Sequence, residues 1–305
     1  MTEFALIVPT LNPGSIWEKW VDGLLAQSIK PSRVIIIDSG STDNTLDICH
    51  TEGFDVVSIN KTEFNHGGTR QQALQYVNNI EFVIYMTQDA ILAKKDSLLS
   101  ILQPFTDSTV AAVCGRQLPH LDAGPIGSHA RLFTYSDTSL TRTIRDVHHA
   151  GLKTAFLSDS FAAYRTSALS EVGGFPKNVI YGEDMYVAAK MLQAGHKIVY
   201  AADACVYHSH DYSLIQEMKR YFDMGVFHAR EPWIRTEFGA AEKEGIKFIV
   251  SEFKYLARHA FWRIPEGMLR LIARYAGFRL GLLEKHIPLI IKKKISMNPG
   301  YFNTV

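Results

Sequence analysis

The sequence predicts an α/β protein: a mostly parallel sheet flanked by helices, with a helical region at its C-terminal end. Short apolar runs, "FALIVP" (4–9), "RVIIID" (33–38), "DVVSIN" (55–60), "FVIYMT" (82–87) and "VAAVCG" (110–115), recur along the first 115 residues, with helix-spaced segments between them. Strands that are apolar on both faces and alternate with helices belong to parallel sheets covered on both sides. A chain of 305 residues that is 47% hydrophobic and 21% charged can bury the core such a sheet needs, which excludes disorder as the dominant state.

Between the strands, Leu98, Leu99, Ile101, Leu102 and Phe105 mark a helix over Ser97 to Phe105. Residues 116–160, with the turn-rich "LPHLDAGPIGSH", read as a long, partly mobile loop over the site. Met185, Ala188, Ala189 and Leu192 predict a helix from Glu183 to Ala194, with Glu183 and Asp184 in its first turn. At Ser213 the composition changes: "SLIQ" is a capping-box signature for a helix with Leu214, Met218, Tyr221 and Gly225 on one face. Helical stretches over 246–264 and 268–283 follow. The expected division is an α/β unit over 1–211 and a helical region over 212–305.

A net charge of +1 gives no basis for a nucleic-acid partner. The charge is uneven, with 16 Lys+Arg against 22 Asp+Glu in residues 1–211 and 16 against 9 in 212–305, so the tail is expected to meet an anionic neighbour. Cys49, Cys114 and Cys205 are odd in number and widely spaced, which fits reduced, cytosolic thiols better than disulfides or a zinc site. The start "MTEFALIVPTLNP" has no basic segment before its apolar run, and no run of 18 apolar residues occurs; neither a signal peptide nor a membrane span is expected.

In parallel sheets, ligands bind beyond the carboxyl ends of the strands. Polar residues collect there: "PTLN" after the first strand, Asp38 at the end of the second, "FNHGGTR" after the third and "QDA" after the fourth. In "FVIYMTQDAIL", Asp89 follows Gln88 directly after a buried strand.

Taken in order, "VPTLN", "IIIDSGSTDNT", "MTQDA", "GGF" and "GEDMYVAAKMLQAGHKI" resemble the family-two inverting nucleotide-sugar glycosyltransferases of the GT-A, Rossmann-like fold. "FNHGGTR" and "VYHSHDYSLIQEMKRYFDMGVFHAR" resemble, more narrowly, the bacterial rhamnosyltransferases of that family. The resemblance spans roughly residues 4–231. It departs at Gln88, where the family's metal-binding pair usually has an acid. It implies an inverting transferase that takes L-rhamnose from dTDP-rhamnose onto a bacterial surface polysaccharide such as O-antigen. A UDP-hexose donor and a non-catalytic sugar-nucleotide-binding scaffold are the alternatives. A dinucleotide oxidoreductase is disfavoured because the first strand leads to "TLNPGS", without G-x-G-x-x-G.

A departing diphosphate gathers negative charge, so Asp89 is read as the carboxylate that holds a divalent cation, Mg²⁺ or Mn²⁺; capping of the following turn is the plain alternative. Asp38 can accept from the imide N–H of uracil or thymine, or form an Asx turn with Ser39. Asp43 reads as a cap. Pro9, Thr10, Asn12, Ser39 and Gln88 are implied to line the nucleotide. In "FNHGGTRQQAL", Arg70 is a candidate for a base carbonyl or phosphate and His66 for the nucleotide, against a glycine turn with Arg70 salt-bridged at the surface. The resemblance implies Asp184 as the general base, kept ionised by the helix dipole, with Glu183 its rival. His208 is a candidate to complete the metal site, or an ordinary satisfied histidine. The basic tail is expected to contact anionic lipid carrying the acceptor, at the inner face of the cytoplasmic membrane, or to form a homo-oligomer.

Overall fold

The computed structural model describes residues 3–239 and 242–303. The elements in order are β1 (Phe4–Thr10), α1 (Ile16–Leu25), β2 (Arg33–Asp38), α2 (Thr45–Thr51), β3 (Asp55–Ser58), α3 (His66–Ala73), β4 (Phe82–Met86), β5 (Ile91–Leu92), α4 (Ser97–Leu102), β6 (Val110–Leu118) and α5 (Pro125–Thr134). They continue with β7 (Leu140–Arg142), α6 (Val147–Ala150), β8 (Phe161–Arg165), α7 (Thr166–Glu171), α8 (Glu183–Gln193), β9 (Lys197–Tyr207), α9 (Leu214–Arg230), α10 (Pro232–Phe238), α11 (Glu242–His259), α12 (Ile264–Leu282) and α13 (Leu289–Ile295).

Among the described residues the sheet runs β3-β2-β1-β4-β8-β6-β9-β5, with β7 also on β9. Pairing is parallel from β3 to β4 and between β6 and β9; β8 sits antiparallel between β4 and β6. Alternation along each strand sorts the core onto two faces. Ala5, Ile7, Ile37, Val83 and Tyr85 meet Val187 and Leu192 of α8 and Phe222 and Val226 of α9 on one side. Leu6, Val8, Ile36, Ile84 and Met86 meet Trp17 and Trp20 of α1 and Leu98 of α4 on the other. All three cysteines are buried and free.

Residues 116–160 are not the long loop their pattern suggests. β6 extends through Arg116 to Leu118 along β9, and the α5, β7 and α6 elements follow. Their apolar patterns are short, but tertiary burial of Ile126 and His129 of α5, with the His129 ring against Phe248 and Tyr255 of α11, supplies what periodicity alone did not.

In the C-terminal region α9 and α12 lie backbone against backbone. A Cβ on Gly277 would stand 2.2 Å from the Met218 carbonyl oxygen, one on Gly281 2.2 Å from that of Phe222, and one on Gly225 2.3 Å from that of Phe278. The capping box at Ser213 is present in both directions: Gln216 N–H donates to Ser213 Oγ, and Ser213 N–H donates to Gln216 Oε1. Among the described residues no helix is long and apolar enough to cross a membrane.

Candidate functional site

Register places Thr10 beside Asp38 at the C-terminal ends of β1 and β2. The loops that leave these strands are tied together. Asn12, at φ 45°, donates its N–H to Ser41 Oγ (2.9 Å), and its Oδ1 accepts from the Thr42 N–H (2.7 Å). Gly14 N–H donates to Asp43 Oδ2 at 2.9 Å, so Asp43 fastens one loop to the other as well as bonding Thr45 at the start of α2. A non-glycine residue in the left-handed region is held only where its surroundings over-determine it. Ser39 donates its Oγ hydrogen to the Thr10 carbonyl, and Pro9 lies half-buried one residue earlier.

Asp38 is buried and fully engaged. Its carboxylate accepts from Thr10 Oγ1 (2.9 Å), Ser41 Oγ (2.5 Å), and the Gly40 and Ser41 N–H groups (2.9 and 2.8 Å). Two oxygens offer about four acceptor positions, and the turn uses them all. In this conformation Asp38 organises the 39–41 turn and does not present a free oxygen to a base; the Asx-type alternative is the geometry observed, with Gly40 and Ser41 as partners.

Gln88 pairs with the Leu11 backbone in both directions, its Oε1 accepting from N–H at 2.7 Å and its Nε2 donating to C=O at 3.2 Å. Beside it, Asp89 Oδ1 lies 3.4 Å from His208 Nε2, and Asp89 Oδ2 lies 3.7 Å from His210 Nδ1. One ligand atom from each of the three residues falls within 4.8 Å of the others. His208 Nδ1 is 2.8 Å from Gln117 Oε1, and Gln117 Nε2 donates to Ser158 Oγ at 2.9 Å. That orientation assigns the His208 proton to Nδ1 and leaves the Nε2 lone pair facing a carboxylate oxygen.

Two acceptors in that position need a proton or a cation between them. Burial pushes both imidazoles below their usual value, His210 to about 3, which disfavours the proton. Burial works upward on Asp89, and the two neighbouring histidines outweigh it, so its carboxyl stays low and ionised. One carboxylate and two neutral imidazoles suit a divalent metal ion, so the residues fit the cation expected here.

A second cluster is linked to the first through the Ser158–Asp159 segment. Arg70, 4% exposed, reaches Asp159 Oδ2 with Nε (2.9 Å) and Glu183 Oε1 with Nη1 (2.8 Å). Tyr164 OH donates to Asp159 Oδ1, and the Asp159 N–H donates to Asp184 Oδ2 at 3.3 Å. Gly67 makes the packing possible: a Cβ there would stand 2.0 Å from the Pro176 carbonyl oxygen and 3.3 Å from Glu183 Cβ. Two carboxylates share one guanidinium, and the charge of Asp184 reaches it from behind them. Burial, then the charges of Glu183 and Asp159, push the Asp184 carboxyl well above its ordinary value, and Asp159 is pushed up to about 6 by burial. The expectation that the helix dipole keeps Asp184 low is therefore corrected: the Met185 N–H at 2.7 Å does lower it, but burial and its acidic neighbours prevail.

The sequence reading of Arg70 as a ligand for base or phosphate is also corrected. It is salt-bridged, and in the interior, because its partners lie 89 and 113 residues ahead and fold over it. Glu183 is turned to Arg70, which leaves Asp184 as the carboxylate with open surface. His66 is exposed, its ring edge-on to Phe64 5.0 Å away. Three contributors had no assigned role: His210 beside Asp89, Gln117 behind His208, and Asp159 beside Arg70. "HSH" held the only sequence signal, two histidines spaced to face one carboxylate.

Among solved structures, the mannosyltransferase PcManGT from Pyrobaculum calidifontis, in complex with GDP-Man and Mn²⁺, superposes with a TM-score of 0.57 at 19% identity, covering 99% of this chain and 85% of that one. The fold is thus GT-A, a sheet-and-helix frame with loops and carboxylates gathered at the strand ends. The chain belongs to the family described as glycosyltransferase like family 2, whose model matches residues 2–222. It is similar to the O-antigen chain rhamnosyltransferase WbaN of Salmonella anatum, 47% identical over 306 residues, covering 100% of this chain and 97% of that one. It is also similar to the O-antigen chain rhamnosyltransferase RfbN of Salmonella typhimurium, 44% identical over 304 residues, covering 99% and 97%.

Proposed function

We propose that this chain transfers L-rhamnose from dTDP-rhamnose, with inversion, onto a lipid-linked O-antigen acceptor. One observation carries the reading: the carboxylate and imidazoles of Asp89, His208 and His210 gather within 4.8 Å of one another, and His208 is linked through Gln117 and the Ser158–Asp159 segment to Asp184. The two relatives named rhamnosyltransferases, alike over nearly their whole length, supply the choice of sugar and acceptor.

On the donor side, Pro9, Thr10, Asn12 and the 39–41 turn held by Asp38 line the nucleotide, with Gln88 bracing the first loop and His66 at the rim. Asp89, His208 and His210 hold Mg²⁺ or Mn²⁺. Such a cation, when bound, offsets the negative charge that grows on the leaving diphosphate. On the acceptor side, Asp184 takes the proton of the attacking hydroxyl. The hydroxyl oxygen bonds to the anomeric carbon as the bond to the diphosphate breaks on the opposite face; dTDP leaves, and Asp184 returns the proton to water. A raised carboxyl suits a proton acceptor working near neutral pH. Arg70, Glu183 and Asp159 position it. The chain would work at the inner face of the cytoplasmic membrane, where the acceptor's lipid lies.

Turnover with a panel of sugar nucleotides and Mn²⁺ tests this. The expected result is dTDP-rhamnose preferred over UDP-hexoses by ~10-fold or more, the scale of a few lost polar contacts. Preference for a UDP-hexose overturns the donor assignment, and saturable binding without any turnover supports a scaffold.

A further inference from the structure

We propose that a cleft between α5, α9, α11 and α12 binds the diphosphate of the acceptor's lipid carrier, through Arg131 and Arg220. The cleft measures about 530 Å³, and His210 forms part of its wall, so it opens directly beside the cation ligands. This assignment rests on the transferase reading above.

Five arginines line the cleft, and three are already neutralised. Arg263 pairs with Glu266, Arg270 with Glu217 and Glu266, and Arg274 with Glu217 and Glu252. The cleft's own carboxylates are used as well: Glu217 by two of those arginines, and Asp211 by the Gly124 N–H at 2.9 Å. Arg131 and Arg220 have no carboxylate partner among the described residues. The Arg131 Nε is buried without a hydrogen-bond partner, and its guanidinium lies 6.0 Å over the Tyr135 ring. Among the described residues Arg220 donates to the hydroxyls of Tyr212 and Tyr181, each at 3.2 Å, with its guanidinium 5.5 and 5.4 Å over their rings.

Two planar cations, packed on aromatic rings and lacking a counter-ion, form a receptor for a multiply charged phosphate group. Both arginines are half-buried, and a charge drawn partly out of water without a carboxylate partner is costly, so the pair implies an anion that arrives with the substrate. The donor's diphosphate belongs at Asp89, His208 and His210. The cleft is also lined by the apolar Ile126 and Phe248, and its lining residues Ser213 and Arg263 adjoin the exposed Leu214, Ile215, Phe261 and Trp262 in the chain. An anion with an apolar tail fits that combination; a second nucleotide does not.

The test is binding of farnesyl diphosphate to the full chain, by calorimetry, with dTDP and Mn²⁺ at saturation and farnesol as the uncharged control. The expected result is saturable binding of the diphosphate, none of farnesol, and a loss of ~10-fold or more in Arg131→Gln and Arg220→Lys with dTDP affinity changed by less than about twofold. Arg220→Lys keeps the charge over the tyrosines and guards against simple unfolding. Displacement of dTDP by farnesyl diphosphate, equal binding of farnesol, or unchanged binding in both variants overturns the proposal. So does a parallel loss of dTDP affinity, which would move the arginines to the donor site. The measurement needs no turnover: Asp184→Asn must bind the probe like wild type. A wild type that transfers rhamnose yet ignores the probe overturns this cleft alone.

Discussion

Gln88 and Leu11 hold each other by two hydrogen bonds, one in each direction, across 77 residues of chain. Only a side-chain amide can both donate and accept in that position. An acid at 88, which the family's usual metal-binding pair would supply, has no hydrogen for the Leu11 carbonyl and sets a negative charge against it. The departure at Gln88 is thus a structural solution, in which the residue before Asp89 fastens the first loop while, in the function proposed above, His208 and His210 take the ligand positions beside Asp89. Gln88→Glu is expected to cost ~1–3 kcal/mol of stability, read as a lower Tm, and to weaken nucleotide binding. Wild-type Tm with tighter Mn²⁺ binding would contradict it.

The cation prediction separates holding from orienting. Asp89→Ala and His210→Ala are expected to abolish chelator-sensitive nucleotide binding. Gln117→Leu keeps every ligand but frees the His208 ring, and Mn²⁺ affinity should fall ~10- to 100-fold. Nucleotide binding by the wild type that is indifferent to chelator would sink the site.

Asp184→Asn should lower turnover by ~10² or more while donor affinity stays nearly intact. Glu183→Gln should act instead through folding, since Glu183 is paired with Arg70. A turnover loss matched by an equal loss of donor affinity would make Asp184 a binding residue.

The same residue gives a pH dependence. A carboxyl raised in the folded state holds its proton more tightly there than when unfolded, so stability falls as pH rises from the unfolded value near ~4 through the folded one. Asp159, raised to about 6, adds to this window. The Tm advantage of Asp184→Asn over wild type, without cation, should therefore grow between pH 5 and pH 8. An advantage that shrinks over that interval would show that the carboxyl is low.

The tail carries exposed Phe261, Trp262, Ile272, Tyr275 and Ile290, together with the basic α13. Of its three lysines, Lys292 is paired with the buried Glu284 at 2.5 Å, which leaves Lys293 and Lys294 for a surface. The chain is expected to co-sediment with anionic but not neutral vesicles at low salt, and Lys293→Gln with Lys294→Gln should weaken this, each cation contributing about 1 kcal/mol. Equal sedimentation with both vesicle types, or none from a stable dimer, would assign the face to assembly.

What the sequence discloses follows from range. The five apolar runs become β1, β2, β3, β4 and β6; β1, β4 and β6 announce themselves by burial on both faces, whereas β3, half-exposed at the sheet edge, shows through its β-branched Val56 and Val57. Asp38 and Asp89 stand out because each closes or follows a strong apolar run, and Asp184 because it opens the helix of the "GEDMYVAAK" motif. The antiparallel β8 and the Arg70–Asp159 pair do not, since "FAAYR" and "LSDS" carry no local mark and acquire meaning only from distant partners. Burial of Arg70, which decides its role, is a property of those partners. The elements of 116–160 are hidden for the same reason: α5 is held by α11, more than a hundred residues later.

The glycine contact between α9 and α12 also sets a rule for recombination. α9 begins four residues after His210 and bears Arg220, whereas α12 bears Arg270 and Arg274. With Gly225, Gly277 and Gly281 in backbone contact, sliding one helix along the other by a single residue would drive a side chain into a carbonyl. The two helices form one interchangeable cassette: a hybrid enzyme that takes α12 from a relative must take α9 with it. An exchange of either alone would displace the chain leading back to His208 and His210 and impair donor chemistry from a segment that touches no donor.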